Sequence, residues 1–261
     1  IKDSISNAVV KNIPSVTCTG KALTPVVQLT YHGRRLTQGV DYRLSYYSNV
    51  SVGQGKVTIY GQGVFSGTAQ ASFNILPKAP KGVRIASVSG NSIRVSWTKD
   101  TTMSGYQILN AKTNKIVATV KGTQSTYTVS RLGYGCQYSF KVRAYKGVGE
   151  KNYYGVYSGT ASAYTKPKGT SLKQLKAKSK AFAVYWNKQT SKTNGYQLQY
   201  STNKSFKKAK TLTVSNTKTT SKTISKLSKK KVYYVRVRTY KTIGKTKIYS
   251  SWSGWKSVKT K

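Results

Sequence analysis

Apolar and polar residues alternate along this chain in short runs. In "SIRVSWTKD", Ile93, Val95 and Trp97 fall on one face, and in "YSFKVRAYK" so do Tyr138, Phe140 and Val142. A period of two sends successive side chains to opposite sides of an extended backbone, the mark of a half-buried strand. Turn-forming stretches such as "VSGNS" and "LGYGC" separate the runs. Near the N-terminus the same alternation shows in "YRLSY", "KVTIY" and "QASFNI", with glycines between them where a positive φ costs little.

The last two thirds of the chain repeat. "YSFKVRAYKGVGEKNYYGVYSGTASAYT" from Tyr138 aligns without a gap with "YYVRVRTYKTIGKTKIYSSWSGWKSVKT" from Tyr233, an offset of 95 residues. Earlier landmarks pair as well: Trp97 with Trp186, and "SGYQILN" around Tyr106 with "NGYQLQY" around Tyr196. A repeat of this size is a whole domain, and several short strands in roughly 90 residues predict a two-sheet sandwich. "LPKAPKG" (Leu76 to Gly82) and "TKPKGTSL" (Thr165 to Leu172) are the joints. They divide the chain into residues 1–77, 78–165 and 166–261. Short joints rich in Pro and Lys favour a restricted, elongated array. The expectation is an all-β chain of three consecutive β-sandwich domains.

The second and third segments resemble fibronectin type III domains. Trp97 and Trp186 match that family's tryptophan on the second strand, and Leu132–Tyr138 and Leu227–Tyr233 match its tyrosine corner. The resemblance implies that each corner hydroxyl bonds back to upstream backbone and pins the turn. The first segment resembles a bacterial Ig-like repeat of Gram-positive surface proteins. Its matching positions include Gly20, Lys21, Pro25, Asp41, Tyr42, Asn49, Gly61, Gly63, Phe65 and Phe73. Asp41-Tyr42 is read as a turn or strand start, and His32 beside Gly33 as a solvated hairpin tip.

"WSGWK" (Trp252 to Lys256) aligns on Tyr157 to Ala161 and is expected within the last strand of the third segment. If Tyr233, Val235 and Val237 point inward, Arg236 and Arg238 point outward, toward the faces of Trp252 and Trp255. The pattern resembles the Trp-Ser-x-Trp-Ser ladder of cytokine-receptor domains, with Lys256 in place of the last Ser. That implies a structural cation–π ladder; the competing reading is an aromatic platform for sugars.

Composition narrows the chemistry. The net charge is +42, and the four acids are Asp3, Asp41, Asp100 and Glu150; the one histidine is His32. Neither a carboxylate pair nor a Ser-His-Asp triad can be assembled from these, and the acids are too scattered for a calcium site. Two cysteines and one histidine are too few for structural zinc. No catalytic residue, metal or cofactor is therefore expected, and the chain is read as a non-enzyme. Cys18 and Cys136 are read as separate thiols, with an interdomain disulfide the alternative. An isopeptide bond needs an acid, which excludes the third segment and leaves Asp41 in the first.

The charge rises along the chain. Residues 1–77 carry 7 basic and 2 acidic side chains, 78–165 carry 13 and 2, and 166–261 carry 26 and none. Of those 26, 24 are Lys. Two readings stand: a solvated coat, or attraction to a polyanion. The second singles out Lys204, Lys207, Lys208 and Lys210 in "KSFKKAK" and Lys229, Lys230 and Lys231 before the corner. No apolar run is long enough to span a bilayer, and no signal peptide or initiator Met is present. The whole reads as a piece of a secreted or cell-wall-associated bacterial protein, a spacer and attachment segment that binds an anionic wall polymer weakly. The alternative is an adhesin module that takes host protein or glycan through loops and aromatic faces. Specific nucleic-acid recognition is not expected, and self-repulsion favours a monomer.

Overall fold

The computed structural model describes residues 2–261. Among these the chain is all-β, with no α-helix and one short 3-10 turn, Ile5–Asn7. Among the described residues, contacts gather 2–84, Ser96–Tyr127 and Phe140–Ala161 into one compact unit. Ile85–Val95, Thr128–Ser139 and Ser162–Lys261 form another.

In the first unit, residues 3–76 fold around a core that includes Leu29, Val57, Ile59, Phe65, Phe73 and Ile75. A four-stranded sheet runs Val16–Thr17, Thr68–Leu76, Gly53–Gly61, Tyr42–Tyr47, its first pair parallel and the others antiparallel. His32 and Gly33, both at positive φ (48° and 79°), turn Leu29–Tyr31 into Arg34–Arg35. Two left-handed residues in succession match the right-handed twist of a two-residue hairpin. Asp41 is buried, accepting from the Thr37 amide at 2.8 Å and pairing with Arg34 at 3.3 Å. Next to it, the Tyr42 hydroxyl donates to the Val27 carbonyl at 2.8 Å. The same unit holds Lys115–Lys121, Gly105–Asn110, the part of the strand Gln137–Val148 from Phe140 onward, and Lys151–Tyr154, paired in that order.

In the second unit, residues 172–259 form two sheets. One is three-stranded: Leu172–Lys178, Ala181–Trp186, Ser221–Ile224. The other runs Lys210–Val214, Gly195–Ser201, Val232–Ile243, Thr246–Tyr249, and Lys256–Lys259 also pairs with the long strand. Phe182, Val184 and Trp186 of the first sheet meet Tyr196, Leu198, Tyr233, Val235 and Val237 of the second in one core. Alternation explains the packing: the residues facing the core are buried, and Arg236 and Arg238 between them look out.

Gly195 shows why the repeat keeps Gly before Tyr. A Cβ there would lie 2.2 Å from the Val214 carbonyl, and one at Gly105 would lie 2.3 Å from Val120. Strand pairing is that close only because no side chain intervenes.

Phe182 is fully buried. Phe182→Ala is expected to lower the unfolding free energy by about 3–5 kcal/mol. Lys173→Ala, on the solvent side, should change it by less than about 0.5 kcal/mol. Urea titration of the full chain followed by far-UV dichroism checks both.

Candidate functional site

The outer face of the long strand Val232–Ile243 builds a stack of cations and rings. Arg238 lies 3.9 Å from the Tyr249 ring centroid and 4.2 Å from Trp252. Arg236 lies 4.7 Å from the Trp252 ring centroid and 4.1 Å from that of Phe206. The Nε of Arg236 donates to Gln199 Oε1 at 2.7 Å, and that of Arg238 to Gln197 Oε1 at 2.8 Å. These glutamines lie on the neighbouring strand, in register with the arginines they hold. Desolvation lowers the pKa of both guanidinium groups from the ordinary arginine value; for Arg238 Tyr249 opposes the shift and Arg236 adds to it.

Trp252 to Trp255 differ from expectation in two ways. They precede the last strand, Lys256–Lys259, and are not part of it. The Ser253 amide donates to Val237 O at 2.8 Å, but the Val237 amide donates to the Ser253 hydroxyl at 3.0 Å. Ser250 does the same with Thr239. A hydroxyl replaces the carbonyl that a strand would offer, so the edge is satisfied without a regular ladder. Tyr249, Trp252 and Trp255 recur every third residue, as do Ser250 and Ser253. This is the period of a polyproline-type extended chain, and it sends rings one way and hydroxyls the other. Trp255 is also not stacked on an arginine among the described residues. It meets Tyr234 edge-on at 5.2 Å and Lys204 Nζ at 5.0 Å, and is 44% exposed.

The middle segment carries a shorter version. Arg143 lies 4.5 Å from Tyr154 and 4.8 Å from Tyr157, with Gln107 Oε1 accepting from its Nε at 2.9 Å. Ser158 takes the Val142 amide at 3.0 Å, as Ser253 takes Val237. Lys141 stands where the third segment has Arg236.

At the corners, the Gly133 amide donates to the Tyr138 hydroxyl at 2.8 Å, and the Ser228 amide to Tyr233 at 3.3 Å. Leu132 and Leu227 precede these turns, Leu227 packing against the third segment's core. Thr165 and Thr260, both buried, lock the same turns by donating to Gly133 O and Ser228 O at 2.6 and 2.7 Å. Both cysteines are free thiols. Cys18 donates to Val50 O at 3.3 Å. Lys192 Nζ lies 2.8 Å from Cys136 Sγ, and this hydrogen bond raises the Lys192 pKa.

The lysines of "KSFKKAK" separate in space. Lys207, Lys208 and Lys210 line a cleft of about 540 Å³ together with Lys226. Its lining also includes Tyr200 and Tyr233, which belong to the core packing, with Tyr200 edge-on to Phe182 at 6.1 Å. Lys204 instead turns to Trp255. Lys229, Lys230 and Lys231 are exposed in the turn that follows Ser228. Phe206, Gln197, Gln199 and Lys226 did not stand out in the linear pattern. The repeat held one usable signal: Gln107 and Gln197 follow the paired tyrosines at the same spacing.

The family model for the fibronectin type III domain matches residues 78–158 and 165–253. No curated protein matches the chain. Among solved structures, it is similar to the FN1–FN3 domains of chicken CNTN1, at 16% identity and a TM-score of 0.40, over 97% of both chains. It is also similar to a two-domain fibronectin type III segment of chicken tenascin, at 16% identity and a TM-score of 0.38, over 69% of this chain and 99% of that one.

Trp252 has two guanidinium groups against its ring, whereas Trp255 has one lysine. Trp252→Ala should therefore destabilise the protein by about 2–4 kcal/mol, from two lost cation–π contacts and lost packing. Trp255→Ala should cost less than about 1 kcal/mol. Thermal unfolding of the two variants beside the parent decides it; equal losses would contradict the ladder assignment.

Proposed function

The chain belongs to the fibronectin type III family, and we propose that it is a non-catalytic spacer and attachment segment that adheres weakly to an anionic polymer. One observation carries this reading: residues 166–261 hold 26 basic side chains and no carboxylate. No internal ion pair within that segment can consume its charge, so its field is available to a partner. Lysine supplies 24 of the 26. Mobile ammonium groups give salt-sensitive attraction with little selectivity, unlike the planar forks of arginine. The two arginines are already engaged with rings and glutamines.

The setting we propose is the surface of a Gram-positive bacterium, with teichoic acid of the wall as the first polymer met. The resemblance of residues 1–77 to bacterial Ig-like repeats supports it. The first two segments then act as spacer and the third as the electrostatic foot. Four acids and one histidine in the whole chain leave little from which to build a catalytic centre.

Binding of the full chain to purified walls, with and without teichoic acid, tests this reading. Retention should require the teichoic acid. If three or more charges are neutralised, affinity should fall by about one to two orders of magnitude between roughly 50 and 200 mM salt, as counterion release predicts. Retention that ignores salt would refute electrostatic attachment and favour a loop-borne adhesin contact.

A further inference from the structure

The lysine-lined cleft has features that a diffuse charged coat does not require. Eight residues separate Ser201 from Lys210, against four between Asn110 and Lys115 at the matching turn of the middle segment. The longer loop forms a wall of the cleft and carries Lys207 and Lys208. It is tied down internally. The Ser201 hydroxyl donates to Lys207 O at 3.0 Å, and Asn203 Oδ1 accepts from the Ser205 amide at 2.8 Å and the Ser205 hydroxyl at 2.6 Å. The Phe206 amide closes onto Asn203 O at 2.9 Å, and its ring lies under Arg236. Phe206 and Lys208 hold left-handed backbone, at φ 60° and 51°. Such conformations cost free energy in residues with side chains and persist where the surroundings over-determine them. The lysine-bearing wall is therefore pre-ordered, which lowers the entropy lost on binding.

Across the cleft stands Lys226, also left-handed, at φ 59°. Its counterpart Arg131 has the same φ. The turn is thus common to both repeats, and the facing wall is what the third segment adds.

We propose that this cleft is the seat of the polymer, and that it takes one stretch of a flexible phosphodiester-linked polyol. The inference deepens the attachment reading above and rests on it. Ammonium groups on several sides act as point charges that suit a tetrahedral phosphate oxyanion, and the cleft has no arginine fork for planar bidentate pairing. A rigid pyranose chain is disfavoured as well. Tyr233 is buried, and the half-buried Tyr200 packs against the core with its ring edge-on to Phe182, so the cleft holds no pair of exposed rings on which a sugar could stack. Trp255, the exposed indole of this segment, does not line the cleft. Lys226 is the member that no charge run in the sequence marks.

The test uses the full chain and two quadruple variants of equal net charge. One carries Lys207→Gln, Lys208→Gln, Lys210→Gln and Lys226→Gln. The control carries Lys173→Gln, Lys178→Gln, Lys188→Gln and Lys222→Gln, all exposed. Binding of a glycerol-phosphate oligomer is measured by calorimetry beside a sulfated oligosaccharide and a polyglutamate of equal charge. The cleft variant should lose about tenfold or more in affinity for the glycerol-phosphate oligomer, and the control less than about threefold. Matching thermal unfolding curves for the two variants show that folding is not the cause; if the quadruple cleft variant unfolds, Lys226→Gln alone against Lys222→Gln carries the comparison. Equal losses in both variants overturn the cleft while leaving electrostatic attachment intact. Tighter binding of the sulfated sugar or the polyglutamate overturns the ligand class. If the unaltered chain binds none of the three at low salt, the attachment reading itself fails.

Discussion

A segment without a single acidic side chain has to keep two guanidinium groups partly out of water with no counter-ion. Residues 166–261 meet that constraint by enclosing Arg236 and Arg238 between aromatic faces and giving their Nε groups to glutamine oxygens. The ring quadrupole presents negative charge at its face, and the amide oxygen presents a partial charge in the plane of the fork. Together they satisfy directions that an aspartate would otherwise fill. Much of the outer face follows from this solution. It fixes Gln197 and Gln199 on one flanking strand, Tyr249 and Trp252 on the other side, and Phe206 at the end of the stack.

The aromatic residues reach those positions because the segment before the last strand abandons the pleat. A strand alternates every residue and would place only one of two consecutive side chains on the outer face. A three-residue period lets Tyr249 and Trp252 share a face while Ser250 and Ser253 turn inward to the amides of Thr239 and Val237. The serine hydroxyl makes this affordable, since it removes the unpaired donors that an irregular edge would leave. In the middle segment the same device operates once, at Ser158, and the stack is correspondingly shorter, with one arginine between two tyrosines.

Phe206 joins the ladder to the cleft. Its ring closes the stack on Arg236, and its backbone belongs to the loop whose lysines line the cleft. The charge-enclosing side of the third segment is therefore tied to the charge-displaying side. Core packing completes the support, because Tyr200 and Tyr233 serve the hydrophobic interior from within the same cleft.

The sequence by itself determined the class of fold and the repeat. Period-two alternation names inward and outward positions on each strand directly, since pleating allows no other assignment, and a gapless 95-residue offset carries one domain's landmarks onto the next. The outward arginines were legible for that reason, and the corner tyrosines and second-strand tryptophans through the resemblance to fibronectin type III domains. Tertiary structure alone decided which lysines share a cleft, because Lys207 and Lys226 are 19 positions apart and meet only when two loops fold toward each other. It also decided that Lys204 leaves its neighbours for Trp255, that Phe206 and the glutamines complete the stack, and that Trp252 to Trp255 lie outside the last strand. Each of these depends on a side chain substituting for a backbone or ionic partner. Periodicity cannot report such a substitution, because it records which face a residue takes and not what waits for it there.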